Sequence, residues 1–244
     1  MSPVALAWQQ FRFERKLFWR NPSAAFFNFL LPLLLLVLIA TAFASDDTEL
    51  EVLIPGIAGM GVLATTFTAL AYNVTFLREQ GVLKRIKGTP MPPFAYFGGL
   101  VANAVANAVV QIALVLVIGH FGYDVTWPHD WFALVVFSLL GVSTFAALGV
   151  ALAQAIPNFD SAAAYVNAAF LPMIFISGTF YSTKSEPAVL EAIAKALPLK
   201  HVIDGLSGAI VTGEGVADNW VAVLALLAWS AFGAVAAVRY FRWE

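Results

Sequence analysis

The chain of 244 residues has no cysteine, three histidines and few charges. Without Cys it can form no disulfide, thiolate nucleophile or Cys-based metal site. His120, His129 and His201 fall in or beside loops, without metal-ligand spacing, and read as surface histidines. No Ser–His or carboxylate pair is placed for catalysis, and no G-x-x-x-x-G-K-S/T phosphate loop is present. The expectation is a protein that is not an enzyme and has no metal site. Charged residues make up 11% of the chain, against roughly 25% in soluble domains. The net charge of −2 says little about partners, because in such a chain the distribution of charge carries the information. Six long runs contain no Asp, Glu, Lys or Arg at all. Proton- or ion-coupled carriers usually need ionisable groups at membrane depth, so ion coupling is disfavoured and work must arrive from outside the membrane.

Those runs are Ala24 to Ala44, Leu53 to Leu77, Tyr96 to Gly119, Trp131 to Ile156, Ser161 to Tyr181 and Trp220 to Val238. Each is about the 20 residues that cross a hydrocarbon core of roughly 30 Å as a helix. They lack the alternation of barrel strands, so helices are expected. The fold class is therefore an all-α polytopic membrane protein of six transmembrane helices in a single domain. Ala42-Phe43-Ala44 after a basic leader imitates a signal-peptide cleavage site, but the run is longer than a signal core of about 7–15 residues and reads as an uncleaved span. The longest stretch outside the runs, Ser182 to Asn219, is shorter than the usual minimum of about 50 residues for a soluble domain.

Basic residues alternate by loop. Arg12, Arg15, Lys16 and Arg20 precede the first run, Arg78, Lys84, Arg85 and Lys87 follow the second, and Arg239 and Arg242 follow the last. The first loop instead carries Asp46, Asp47, Glu49 and Glu51, and the third carries Asp124 and Asp130. Lys184, Lys195 and Lys200 lie in a last outer segment of mixed sign. The positive-inside rule places both termini in the cytoplasm.

Leu6 to Trp19 reads as an amphipathic interfacial helix, with Leu6, Gln10, Phe13, Leu17 and Phe18 on one side and Trp8 and Trp19 as anchors. It serves either as a membrane-surface anchor or as a docking surface, and Asn21-Pro22 ends it. Pro32 and Pro172 are candidate kinks, and Pro55 lies near a helix start. Asn103, Asn107 and Gln111 recur every four residues with Gly99 and share one helix face. That face is either interhelical glue or the lining of a substrate path. Gly141, Phe145 and Gly149 form a ridge for close packing. Asp160 has the look of a helix N-cap. Pro187 to Leu197 and Val202 to Ile210 read as two short outer-leaflet helices or as an ordinary loop, with Glu191 and Lys195 paired at i,i+4.

Between the second and third runs lies Arg78-Glu79-Gln80-Gly81-Val82-Leu83-Lys84-Arg85-Ile86-Lys87-Gly88-Thr89-Pro90-Met91-Pro92-Pro93. It is a short basic helix closed by Gly88 and a proline cluster. On its own it could serve topology control and contact with anionic lipid. Its pattern, Arg-Glu-Gln-Gly-x-Leu-Lys-Arg-x-x-Gly-Thr-Pro-x-x-Pro, resembles the signature stretch of ABC-2 type transporter permeases. The whole chain resembles the daunorubicin-resistance branch of drug-efflux permeases, including Ser177-Gly178-Thr179-Phe180-Tyr181 and the Leu197 to Asp204 stretch.

The resemblance implies a permease of the bacterial plasma membrane that exports a small hydrophobic or amphipathic molecule. It implies a separate cytoplasmic ABC ATPase subunit, which would hold the ATP and Mg, and a second permease copy, identical or paralogous. Arg78, Glu79, Gln80, Gly81, Leu83, Lys84 and Arg85 would form the coupling helix seated in that ATPase. Phe11, Arg12, Arg15 and Lys16 of the leader helix would brace the same interface. Membrane lipids are expected partners, and nucleic acid is not. The alternative is a stand-alone channel or secondary carrier with an amide-lined path through Asn103, Asn107 and Gln111; an intramembrane enzyme or scaffold is the third reading.

Overall fold

A computed structural model describes residues 2–43, 47–89, 91–181 and 187–241, all helix, turn or loop with no strand among them. Ala44, Asp46, Pro90, Lys184 and Arg242 lie outside the described residues. The leader is helix α1 (Pro3–Trp19), started by Ser2, whose side chain accepts from the Ala5 N–H. The first span is built from α2 (Pro22–Ala25), a wide π turn at Phe26–Leu30 and α3 (Leu31–Phe43). The turn falls just before Pro32, whose missing N–H disrupts an ordinary α ladder, and the Leu31 N–H reaches back five residues to the Phe26 carbonyl. The second span joins α4 (Asp47–Leu63) to α5 (Ala69–Glu79) through another π turn at Ala64–Thr68, and the short α6 (Val82–Lys87) follows. Then come α7 (Pro93–Tyr123), α8 (Trp131–Ala155), α9 (Phe159–Ile176), α10 (Ala188–Ala196), α11 (Pro198–Ser207) with a π turn to Thr212, and α12 (Trp220–Tyr240).

Five of these helices are long and apolar enough to cross a membrane: Leu50–Glu79, Phe94–Tyr123, Trp131–Ala155, Phe159–Ile176 and Trp220–Tyr240. The apolar stretch of the first expected span, Phe26–Ala42, is shorter but within the spanning range of about 17–25 residues. The second span is the centre of the bundle, with Ile54, Ile57, Ala58, Val62 and Leu63 fully buried. By contrast, α9 and α12 sit at the edge and leave Phe175, Phe232, Val235 and Val238 exposed. Such faces suit lipid or a second apolar surface.

The ridge on α8 works as packing. A Cβ at Gly149 would lie 2.6 Å from the Phe67 carbonyl oxygen, so the π turn of the second span rests directly on α8. Thr144 donates to the Leu226 carbonyl of α12 at 3.0 Å. The two short helices expected before the last span are both present. α10 carries the Glu191–Lys195 ion pair, exposed and so worth little. α11 instead enters the core, burying Leu199, Val202, Ile203 and Leu206 among α4, α8 and α12.

Asp160 is not the cap of α9. Asn158 takes that position, its Oδ1 accepting from the Ser161 N–H at 2.9 Å and the Ser161 hydroxyl at 2.7 Å. The helix begins at Phe159, which places Asp160 inside the first turn rather than before it. Asn158→Ala should therefore destabilise the protein by about 0.5–2 kcal/mol, the usual loss for a cap, and Asp160→Ala by less. Thermal unfolding of the two variants in detergent decides between them; an equal or larger loss for Asp160→Ala would reassign the cap.

Candidate functional site

The segment between the second and third spans starts with a sharp reversal. Gly81 has φ of 66°, a left-handed conformation that side chains rarely adopt, and it separates α5 from α6. The Gly81 N–H donates to the Arg78 carbonyl at 2.9 Å, closing the end of α5. α6 is anchored by one residue, Leu83, which is fully buried with Leu70, Val74, Tyr96 and Leu100. Glu79, Gln80, Lys84 and Arg85 remain exposed.

Two neighbours at this reversal reach across to the junction of α8 and α9. The Arg78 guanidinium donates to the Ala153 carbonyl at 2.8 Å and also to the Ile156 carbonyl, at the C-terminal end of α8. The Glu79 carboxylate accepts from the Phe159 N–H, at the N-terminal end of α9. A cation at the negative end of one helix dipole and an anion at the positive end of the next is the favourable arrangement. The Phe159 ring also packs edge-on against Phe76, at 5.3 Å between centroids. The structure thus brings Arg78 and Glu79 to the elbow between the fourth and fifth spans, while Gln80, Lys84 and Arg85 face outward.

The leader helix crosses α7 at Gly99, where a Cβ would lie 2.5 Å from the Gln10 Cβ and 2.9 Å from the Phe11 backbone nitrogen. Only glycine permits that approach. Trp8, Arg12, Phe13, Lys16, Leu17 and Trp19 are exposed, and Phe11 is half-buried. The protein-facing side of the leader helix is polar. Arg15 donates to the Asn107 Oδ1 of the amide face and lies over the rings of Phe18 and Trp19, at 5.9 and 5.6 Å. Gln10 donates through Nε2 to Glu14 at 2.7 Å.

Between α1, α5, α6 and α7 lies a cavity of about 780 Å³. Glu14, Thr68, Asn73, Asn103 and Asn107 supply polar wall, and Phe13, Phe18, Tyr72 and Phe76 supply rings. Gln111, the third amide of the face, lies deeper and is fully buried against Gly61 instead. Glu14 is the residue that sequence reading missed. The signal was present: an acid four residues after Gln10, among bases, on a helix followed by an amide-faced span. Burial pushes its carboxyl above the usual carboxylate range, and hydrogen bonds from Gln10 and Asn73 partly oppose that. Among the described residues, no group of three or more His, Asp or Glu side chains could hold a metal ion.

Residues 4–211 match the ABC-2 type transporter family, and the chain belongs to that family. It is 24% identical over 187 residues to the linearmycin resistance permease protein LnrN of Bacillus subtilis, covering 76% of this chain and 48% of that one. It is 28% identical over 168 residues to nodulation protein J of Sinorhizobium fredii, covering 66% and 62% respectively. The inner membrane transport permease YadH of Escherichia coli matches at 21% over 189 residues, 74% of this chain and 73% of that one. The chain thus spans about half to two thirds of the length of LnrN and nodulation protein J. It is a multi-pass membrane protein of that family.

Two predictions follow from the geometry around α1. The raised carboxyl of Glu14 means that the folded state binds its proton more tightly than the unfolded state does. Ionising it then costs stability as pH rises from the ordinary carboxylate range through the raised value. Glu14→Gln should raise the thermal midpoint relative to the wild type above that window and converge with it below. A pH-independent difference would show that burial of the charge is not the cause. Separately, Asn107→Leu should destabilise the protein by about 1.5–3 kcal/mol, because it removes a hydrogen bond to a charged group. Asn103→Leu should cost little, because the Asn103 Oδ1 is buried without a partner. Detergent unfolding of both variants separates glue from lining at each position.

Proposed function

We propose that the chain is the membrane subunit of an ATP-driven exporter that moves a hydrophobic or amphipathic molecule outward, with both termini cytoplasmic. A separate ABC ATPase, holding ATP and Mg, supplies the work, and a second permease copy completes the pathway. The observation that carries this reading is the build of α6. It presents Lys84 and Arg85 outward, while Leu83 and the Arg78–Glu79 pair fasten its root to four spans. A helix attached in that way can pass a displacement from a cytoplasmic partner to the fourth and fifth spans as well as to the second and third. Coupling then requires the ATPase to bind two permease states with different affinity. The names of LnrN, a resistance permease, and YadH, a transport permease, agree with a transport role. The charge-free spans support an external energy source over ion coupling.

The test is affinity purification from the native host in mild detergent. A stoichiometric nucleotide-binding ATPase is expected, and Arg85→Glu should reduce its recovery at least about tenfold while membrane insertion is unchanged. Glu79→Lys should also weaken recovery, since it reverses a charge on the docking segment and removes the acceptor of the Phe159 N–H. A pure permease with no ATPase after cross-linking, or unchanged recovery with Arg85→Glu, would overturn the docking assignment.

A further inference from the structure

The cavity beneath the leader helix has a chemistry that the transport reading does not use. Glu14 is 7% exposed, and its hydrogen-bond partners are the amides of Gln10 and Asn73 rather than a cation. The neighbouring base, Arg15, is directed to Asn107 and to two aromatic rings. A buried carboxylate without a cation is costly, and a cation brought to it recovers that cost. Two further groups in the same wall, the Thr68 hydroxyl and the Asn103 Oδ1, are buried and have no hydrogen-bond partner among the described residues. The Glu14 carboxylate and the Asn103 Oδ1 can only accept, and the Thr68 hydroxyl can accept as well as donate, so the wall suits a ligand that brings hydrogen-bond donors and positive charge. An ammonium offers three donors and no acceptor. Rings in the wall favour a cation further and accept an apolar body. The volume of about 780 Å³ lies within the range of roughly 300–1,000 Å³ typical of small-molecule sites.

We propose that this cavity binds the primary ammonium head of an amphiphile, with Glu14 as the anionic anchor, Thr68 and Asn103 as additional acceptors, and the aromatic wall around its hydrocarbon part. The site belongs to the permease alone, so it stands or falls independently of ATPase docking. An anionic head is disfavoured by Glu14, and a neutral alcohol leaves the carboxylate without its cation.

The experiment uses the full chain in nanodiscs of phosphatidylcholine and measures saturable retention of radiolabelled dodecylammonium, with 1-dodecanol as the neutral control. Dodecylammonium should bind at least about tenfold more tightly than the alcohol, as one charge-assisted hydrogen bond implies. Glu14→Gln should remove that preference and leave alcohol retention unchanged, which also reports an intact cavity. Glu14→Asp, which keeps the charge, should retain a preference. Equal binding of ammonium and alcohol by the wild type, or an unaltered preference in Glu14→Gln, would overturn the proposal. Phosphatidylethanolamine in the nanodisc distinguishes the sources of such a head group. Competition identifies a bilayer lipid as occupant, and undiminished retention identifies a free amphiphile; both support the site.

Discussion

A charge placed in hydrocarbon must be paired or moved to an edge, and every backbone polar group there must be satisfied by protein. That constraint organises the molecule. The spans carry no Asp, Glu, Lys or Arg in their apolar runs, so the groups that can do electrostatic work collect where helices end. Arg78 and Glu79 illustrate the result. The ends of α8 and α9 leave carbonyls and N–H groups without intrahelical partners, and one residue of each sign from the second span supplies them. The same two side chains thus satisfy the helix ends and place their own charges favourably on the two helix dipoles. Because they sit at the root of α6, the solution also joins the fourth and fifth spans to the segment that faces the cytoplasm in the proposed topology.

The same constraint explains why the leader helix is not simply a surface anchor. Its outward side carries Trp8 and Trp19, Phe13 and Leu17 border the cavity, and Gln10, Glu14 and Arg15 turn toward the bundle. Polar groups that face protein need partners there, and α7 offers amides at Asn103 and Asn107 with Gly99 making room for the crossing. The partnering is incomplete. Asn107 is taken by Arg15, and among the described residues Asn103 keeps an oxygen without a partner and Glu14 has amides but no cation. A fully satisfied network would rigidify this crossing, whereas a partly satisfied one around a cavity leaves free energy available to a ligand.

Much of the architecture was legible because lipid makes length and apolarity decisive. The long spans and the short helices before the last span follow from composition and from residues poor in helices, whereas the break at Gly81 divides a stretch that reads as one basic helix from Arg78 to Lys87. The N-cap of α9 was misread by two positions, since Asn158 and Asp160 are both good caps and only backbone geometry separates them. The amide face was visible at four-residue spacing, but its division was not. Gln111 is sealed against Gly61 while Asn103 and Asn107 border the cavity, and that depends on which helix crosses at which height. Glu14 escaped notice because a lone acid among bases reads as a solvated i,i+4 partner until the packing of α1 is known.

The placement of α11 shows how the two ends of the molecule are related. It buries Leu199, Val202, Ile203 and Leu206 against α4 and α8, far along the chain from the leader yet touching the same second and fourth spans that the Arg78–Glu79 pair joins at the other end. The second span is continuous from Asp47 to Glu79 apart from the wide turn at Ala64–Thr68, where its register with α8 is set by Gly149. A π turn places its hydrogen bonds one residue out of step with the α ladder on either side, and it is a common position for a helix to change its bend. Thr68, at the end of that turn, lies in the cavity wall, and Thr65 and Thr66 return their hydroxyls to carbonyls of the preceding turn. The irregular turn, the cavity and the α8 contact therefore share one stretch of five residues. Any change in the bend of the second span there must alter the cavity wall and the packing on α8 together, which is the geometric requirement for linking an occupied cavity to the position of α6.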